Sequence, residues 1–332
     1  MSPQPAGSVL GLGVLDPDLE ASLVAGMASV EVALRDAVRS DYPFVTEASR
    51  HLVEAGGKRF RPLLVLLAAQ FGDPQAPGVV PAAVVVELTH LATLYHDDVM
   101  DEADLRRGAA SANARWDNTV AILTGDFLFA KASDILADLG PEAVRIQART
   151  FERLCTGQIR ETVGPEGGAD PVEHHLRVLA DKTGSLIATS GRFGAMMSGA
   201  DPRIVDTMTT FGEKIGVAFQ LADDIVDITS DSSDSGKTPG TDLREGVPTL
   251  TALIALSDAD PRLRDLLTRP LPDDLDHAEA LATLRDHAAL AQARAEARRW
   301  ADDARATLVD LPEGSARQAL EVLCDYVVTR TG

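Results

Sequence analysis

The sequence predicts an all-α protein, and its composition and periodicity carry the prediction. Hydrophobic residues make up 45% of the 332 residues, but aromatic residues only 4%. Alanine and leucine are abundant, and β-branched residues are scattered, which favours helices over strands. Apolar residues recur with helical spacing in segments that Gly or Pro separates. We expect a flexible segment over residues 1–16 and a single large all-helical domain over residues 17–332.

The Gly and Pro residues between the apolar segments place the individual helices. The first begins near Pro17, and a second covers about Val45 to Glu54, where the Gly56–Gly57 pair ends it. Pro62 is a plausible first-turn proline of a third. Residues 81–101 are apolar on nearly all sides until their final aspartates, as in a helix buried in a helical protein. Further helices are expected over residues 119–139, 142–161, 174–198 and 204–228, followed by a polar loop and Ala-rich helices.

The charge balance excludes two classes of partner. The formal net charge is −20, from 51 acidic and 31 basic residues, which argues against nucleic acid and against an anionic membrane surface. The N-terminus lacks the pattern of a signal peptide, and no membrane span is expected, so we predict a cytoplasmic protein. Cys155 and Cys324 stand in apolar surroundings and are expected to be buried free thiols.

Two aspartate triplets have the spacing D-D-x-x-D. In a helix, the first and last members of such a triplet lie one turn apart on one face. Like charges so placed repel each other, which favours a bound cation, and oxygen-only ligands suit Mg²⁺. A solvated surface is the ordinary alternative, but apolar residues precede both triplets. The predicted metal ligands are Asp97, Asp98, Asp101, Asp223, Asp224 and Asp227.

Basic residues recur beside glycines around these triplets. Each alone would be an ordinary surface charge, but glycine lets the backbone approach an anion closely, so the recurrence favours phosphate binding. The segments are GGKRFRP with Lys58 and Arg61, DLRRG with Arg106 and Arg107, KTG with Lys182, and SGKTPG with Lys237.

The set GGKRFRP, ELTHLATLYHDDVMDEADLRRG, KTG and FQLADDIVD followed by GKTPGTDLREG resembles the trans-isoprenyl diphosphate synthase (polyprenyl synthetase) family over roughly Val45 to Leu256. The resemblance implies a helical bundle around a central cavity and a homodimer. It also implies condensation of isopentenyl diphosphate with an allylic diphosphate, and Mg²⁺ as cofactor, three ions once the allylic diphosphate is bound.

The resemblance also implies residue roles. Both triplets would hold the Mg²⁺ ions, and Thr183 and Gln220 would line the reacting centre together with Lys182. Arg106, Lys182 and Lys237 would contact the allylic diphosphate. The residues that would hold isopentenyl diphosphate are Gly57, Lys58, Arg61, His90 and Arg107.

Product length depends in this family on the residues one turn before the first triplet. Ala92 and Thr93 stand there, and they are small where short-chain members typically have a bulky aromatic residue. We therefore expect a product longer than C20, in the C30 to C50 range, with a C15 to C20 product as the alternative. Phe151 and Leu154 are candidates for closing the tunnel.

Other functions remain as alternatives. A class I terpene cyclase would share the fold, but its second metal motif normally mixes Asn, Ser or Thr with Glu. An inactive subunit of a heteromeric synthase usually lacks one triplet, whereas this sequence has both. A purely structural role would not explain the six paired aspartates. Glu87 and His90 form E-x-x-H, as in di-iron bundles, but that site needs a second such motif, which the sequence lacks.

Overall fold

The computed structural model describes residues 16–230 and 239–329, which are almost entirely helical. The elements of the first half are α1 (Pro17–Ala37), α2 (Pro43–Glu54), α3 (Phe60–Ala69), α4 (Val79–Met100), β1 (Leu105–Arg106), β2 (Ala109–Ala110), α5 (Ala112–Arg115) and α6 (Asn118–Leu139). The prediction of an all-α fold is confirmed.

The second half continues the helical pattern. Its elements are α7 (Pro141–Val163), α8 (Pro171–Leu179), a π-helical segment (Ala180–Gly184), α9 (Ser185–Met197), α10 (Pro202–Thr229), α11 (Thr241–Glu245), α12 (Leu250–Ala255), α13 (Pro261–Leu267), α14 (Asp274–Asp286), α15 (Ala288–Thr307), a 3₁₀ turn (Leu308–Asp310) and α16 (Ser315–Thr329).

The helix starts follow the capping residues. Asp16 accepts a hydrogen bond from the Leu19 amide at 3.1 Å, so α1 begins at Pro17 as predicted. The second helix begins at Pro43, two residues earlier than expected, because proline suits the first helical position. Within the described residues, the only sheet is a hairpin that pairs Leu105 with Ala110 and Arg106 with Ala109.

The chain divides into two compact units. The first runs to Phe151 and adds Leu186–Gly212 and Leu308–Val322; the second comprises Glu152–Ser185, Glu213–Thr307 and the chain from Leu323 onward. The single domain expected over residues 17–332 stays a prediction. The N-terminal segment expected to be flexible lies, apart from Asp16, outside the described residues.

Helix α4 is the core of the first unit and packs against α1, α3 and α6. By length and composition alone it is apolar enough to cross a membrane, but 67% of its apolar window is buried within the protein, as in a core helix. Gly125 lets α6 lie close to α4. A Cβ atom at this position would be 2.3 Å from Nε2 of His96 and 3.1 Å from the Ala92 carbonyl oxygen. This close contact is next to the first aspartate triplet.

The second unit has its own apolar core. Val217 and Leu221 of α10 pack with Leu179 and Leu250, and the alanines of α15 allow close packing there. Ile228, at the end of α10, joins a second buried cluster. These contacts hold the part of α10 that carries the second triplet.

The two cysteines differ from each other in exposure. Cys324 is a buried free thiol, as expected, but Cys155 is exposed, so the prediction of burial was wrong for this residue. Cys155 lies on the exposed face of α7, which the apolar neighbours in the sequence did not indicate.

Candidate functional site

The first aspartate triplet lies at the C-terminal end of α4, where the helix dipole disfavours negative charge. Asp98 is fully buried, and its Oδ1 accepts a hydrogen bond from Nε of Arg106 at 2.5 Å. Nη2 of Arg106 is 3.9 Å from Oδ2 of Asp101. The β1–β2 hairpin therefore places a predicted phosphate-binding arginine directly on the predicted metal motif.

The residues of this triplet fit a divalent cation. Oδ2 of Asp98 is buried and has no hydrogen-bond partner, a costly arrangement for a carboxylate oxygen. Within the part of the chain that the structure describes, no three His, Cys, Asp or Glu side chains form a metal site by themselves. The buried Asp98 oxygen suits Mg²⁺, which usually takes one or two carboxylates and fills its remaining positions with water and substrate phosphates.

Basic side chains surround His90, which lies two turns before Asp97 on α4. His90 is mostly buried, and burial, followed by the positive charges of Arg61 and Arg107, lowers the pKa of His90 well below its usual range. Lys58 is exposed at the start of the same basic segment. The structure thus brings His90 together with the arginines that the sequence predicts for one diphosphate.

Arg107 has a structural role besides its predicted one. Its Nη1 donates to the Leu52 carbonyl at 3.2 Å and to the Gly56 carbonyl. The guanidinium group therefore satisfies carbonyls at the end of α2. Gly57 has φ +140°, and a Cβ atom there would be 2.9 Å from Cζ of Arg107, so a side chain at position 57 would collide with Arg107.

Sequence reasoning missed the role of Arg59. It stands between Lys58 and Arg61, but its side chain is buried between Glu31 and Glu87. In the sequence it looks like another basic residue of GGKRFRP, and only its burial separates it from its neighbours.

The second triplet belongs to a hydrogen-bonded chain in the second unit. Oγ1 of Thr183 donates to Oε1 of Gln220 at 3.1 Å, and Nε2 of Gln220 donates to Oδ1 of Asp224 at 3.0 Å. Nε2 of His175 is 3.7 Å from Oδ2 of Asp224. Two residues predicted for the reacting centre are thus joined to a predicted metal ligand, and Asp223 stands beside it, partly buried, on α10.

Asp227 anchors the start of the chain that continues from Gly240. Its Oδ1 and Oδ2 accept hydrogen bonds from the amides of Thr241 and Asp242, each at 3.2 Å, and its carbonyl accepts one from Gly240 at 2.8 Å. This role was not predicted. The predicted diphosphate contact Lys237 lies outside the described residues.

Lys182 lies in the π-helical segment, a distortion that often marks functional sites. Nζ of Lys182 donates to Oε2 of Glu161 at 2.5 Å, so Glu161 joins this group of residues although it was not predicted. A Cβ atom at Gly157 would lie 2.8 Å from the Lys182 backbone nitrogen. Glycine at position 157 therefore lets α7 pass against the segment that carries Lys182.

The residues predicted to set product length are buried or nearly so. Ala92 is fully buried, and Oγ1 of Thr93 donates to the His90 carbonyl at 2.8 Å. The ring of Phe151 packs on Phe129 with 4.3 Å between centroids. Leu154 is buried as well, in the second unit. Their effect on product length stays a prediction.

The predicted residues therefore form two groups. The first unit holds Gly57, Lys58, Arg61, His90, Ala92, Thr93, Asp97, Asp98, Asp101, Arg106 and Arg107. The second unit holds Lys182, Thr183, Gln220, Asp223, Asp224 and Asp227.

Comparison with known proteins gives consistent matches along the chain. The model of the family "Polyprenyl synthetase" matches residues 42–285. A nonaprenyl diphosphate synthase of Mycobacterium tuberculosis is 50% identical over 99% of both chains. A crystal structure of a geranylgeranyl pyrophosphate synthase from Corynebacterium glutamicum, complexed with calcium and isoprenyl diphosphate, is 47% identical with a TM-score of 0.84 and covers 96% of this chain and 98% of that one. A decaprenyl diphosphate synthase from Rhodobacter capsulatus is 35% identical with a TM-score of 0.86, covering 95% and 99%.

Proposed function

Because the chain belongs to the polyprenyl synthetase family and is a trans-prenyltransferase, we propose that it condenses isopentenyl diphosphate with an allylic diphosphate in a Mg²⁺-dependent reaction. The product is an all-trans polyprenyl diphosphate longer than C20. One observation carries the proposal: a buried aspartate with an unpartnered oxygen lies beside a cluster of arginines and His90 at the end of α4. This is a site for a cation and phosphorylated ligands.

Each aspartate triplet would hold Mg²⁺ that binds diphosphate. Bound there, Mg²⁺ would supply positive charge that stabilises the leaving diphosphate. The complex of a related synthase with calcium and isoprenyl diphosphate supports a divalent ion in such a site.

The protein side chains have complementary roles in this proposal. Arg106, Lys182 and Lys237 bind the leaving diphosphate by charge-assisted hydrogen bonds. The isopentenyl diphosphate is bound by a second basic set, and the set consists of Lys58, Arg61, His90 and Arg107, with close backbone approach at Gly57.

Loss of the diphosphate leaves a positive charge on the allylic carbon. Oxygen atoms with partial negative charge near that carbon would stabilise it. Lys182, Thr183 and Gln220 supply these atoms, and the hydrogen bond from Thr183 fixes the orientation of the Gln220 amide. After the new carbon–carbon bond has formed, the released diphosphate removes a proton from the isopentenyl unit, and this step completes the condensation.

The proposed product length rests on the small residues Ala92 and Thr93 and on the nonaprenyl and decaprenyl synthases among the relatives. One observation favours a C20 product instead, namely the 47% identity with a geranylgeranyl pyrophosphate synthase. We give the longer product precedence because Ala92 and Thr93, five and four residues before Asp97 on α4, both have small side chains.

We further propose a cytoplasmic homodimer that binds no nucleic acid. Ile122 and Leu123 on α6 are 42% and 60% exposed, which gives that helix an apolar surface for a second copy. Light scattering coupled to size-exclusion chromatography should therefore give twice the chain mass.

One assay tests the proposed reaction. The protein is supplied with isopentenyl diphosphate, Mg²⁺ and allylic diphosphates of increasing length, and products are identified by mass spectrometry. We expect elongation beyond C20. A product that stops at C20 would support the shorter alternative, and no elongation of any starter would contradict the proposed activity.

A further inference from the structure

The basic segment between α2 and α3 contains one arginine that does not belong to an exposed binding surface. Arg59 is 6% exposed, whereas its neighbour Lys58 is exposed. The guanidinium group of Arg59 contacts three helices and its own loop. Nε donates to Oε1 of Glu31 at 2.6 Å, and Nη1 donates to Oε1 of Glu87 at 2.8 Å. Nη2 donates to the Val53 carbonyl at 2.8 Å, and Nη1 to the Gly56 carbonyl at 3.4 Å.

These contacts satisfy the charge of Arg59 within the protein. Glu87 is 2% exposed and Glu31 is partly exposed, so the arginine has two carboxylate partners of its own. A buried arginine paired in this way adds little attraction for a diphosphate, in contrast to an arginine that faces a ligand. Its contribution to the site must therefore be geometric.

The backbone at Arg59 explains what the side chain holds in place. Arg59 has φ +47° and ψ +36°, a left-handed conformation that residues other than glycine adopt rarely, and it is the residue directly before α3. The side-chain contacts to Glu31, Glu87 and Val53 keep the loop in this unfavourable conformation. Lys58 and Arg61 leave the backbone immediately before and just after this turn, so its shape fixes their positions relative to each other.

The ion pair of Arg59 with Glu87 also links this turn to the helix of His90. Glu87, the buried partner of Arg59, stands on α4 one helical turn before His90. The ion pair therefore holds the loop that carries Lys58 and Arg61 against the helix that carries His90. All three residues are those proposed for isopentenyl diphosphate.

We propose that Arg59 is a positioning residue for the isopentenyl diphosphate site, acting through its buried contacts with Glu31 and Glu87 and without touching the substrate. The role rests on the proposed function. It predicts that loosening Arg59 weakens binding of isopentenyl diphosphate more than binding of the allylic substrate, because Arg59 donates to Glu31, Glu87 and loop carbonyls and not to the aspartates of the first triplet.

The test compares Michaelis constants for the two substrates. Arg59→Lys keeps the charge but loses the planar fork that binds both glutamates. We expect it to raise the KM for isopentenyl diphosphate by about tenfold or more, because a small misplacement of binding groups has large effects, and to leave the KM for the allylic diphosphate within about twofold. Glu31→Gln is the milder variant, since it leaves the Glu87 contact intact, and should raise the same KM by a smaller factor.

A matched control separates positioning from general stability. Leu284→Val removes a methylene group from a fully buried side chain of the second unit, which makes no contact in the Arg59 cluster, and should lower the melting temperature without changing either KM. If Arg59→Lys and Glu31→Gln lower only the melting temperature, or raise both Michaelis constants equally, the positioning role is wrong. A wild-type protein that neither binds nor consumes isopentenyl diphosphate would overturn the proposed function and this role with it.

Discussion

At the scale of single residues, His90 is a largely buried imidazole among arginines, and its pKa lies well below its usual range. The folded protein therefore disfavours the protonated form. Below about pH 6.5, the ordinary pKa of histidine, the unfolded chain binds the additional proton, so the free energy of unfolding falls as the pH is lowered. We expect urea denaturation to show this loss between about pH 6.5 and pH 5.5, the range directly below that pKa.

The contribution of His90 can be isolated by substitution. His90→Gln cannot titrate in this range, so its stability should change less with pH than that of the wild type. Parallel pH profiles for the two proteins would contradict the assignment. A larger loss of unfolding free energy at low pH in the variant than in the wild type would also contradict the assignment to His90.

Ala92 carries the prediction of product length. Ala92→Phe should shorten the product to C20 or below, because the ring would stand one turn from Asp97 on the proposed path of the growing chain. Mass spectrometry of the products measures the effect. Ala289→Phe adds the same bulk at a buried position of the second unit and should leave the length unchanged. An unchanged distribution in Ala92→Phe would contradict the open path.

The basic residues mark the limit of prediction from sequence at this scale. Composition and spacing predict that GGKRFRP and DLRRG bind phosphate, and the structure places Arg61, Arg106 and Arg107 near His90. The sequence could not separate Arg59 from these residues. Its partners Glu31 and Glu87 are each 28 positions away, and burial between them depends on how three helices pack.

At the scale of elements, Tyr95 joins α2 to α4. Its hydroxyl donates to the Ala48 carbonyl at 2.5 Å and accepts from the Leu52 amide at 3.2 Å, and the side chain is fully buried. We expect Tyr95→Phe to lower the free energy of unfolding by about 1–3 kcal/mol, the usual cost of leaving buried polar groups unsatisfied. Chemical denaturation measures it, and Tyr326→Phe, on a less buried ring, is the control. Equal stability losses in both variants would contradict a special role for Tyr95.

The contact between α7 and the π-helical segment gives a second prediction at this scale. In Gly157→Ala the new methyl group would approach the Lys182 backbone, so the segment must shift. We expect kcat/KM to fall by about tenfold to a hundredfold, as displacements of binding groups commonly cause. Cys155→Ala, on the exposed face of the same helix, should keep full activity. An active and stabilised Gly157→Ala would show that the close approach is unimportant.

Helices with strong periodicity were predictable, and their irregularities were not. Residues 174–198 read as one helix, because a π turn adds only one residue to a turn and barely disturbs the apolar pattern. The structure divides that range among α8, the π-helical segment and α9. The hairpin that carries Arg106 was also missed, since strands of two residues have no periodicity to detect.

At the scale of the whole molecule, the net charge of −20 must be reconciled with anionic substrates. Local arginines and bound divalent cations can reverse the field at the site although the overall field repels diphosphates. We therefore expect excess EDTA to abolish turnover and added Mg²⁺ to restore it. Product formation followed with radiolabelled isopentenyl diphosphate is the measurement, and activity that persists in the chelator would contradict the metal requirement.

The contact of Arg59 with Glu31 and Glu87 has a consequence for how the protein folds. The contact joins three parts of the chain, namely α1, α4 and the loop that precedes α3. It can form only after these parts have come together, and bringing them together costs chain entropy before the contact contributes. Such a late contact is absent from the folding nucleus. Weakening it should accelerate unfolding and leave the refolding rate nearly unchanged. The loop between α2 and α3 would then open transiently more often, and hydrogen exchange of its amides would report that opening.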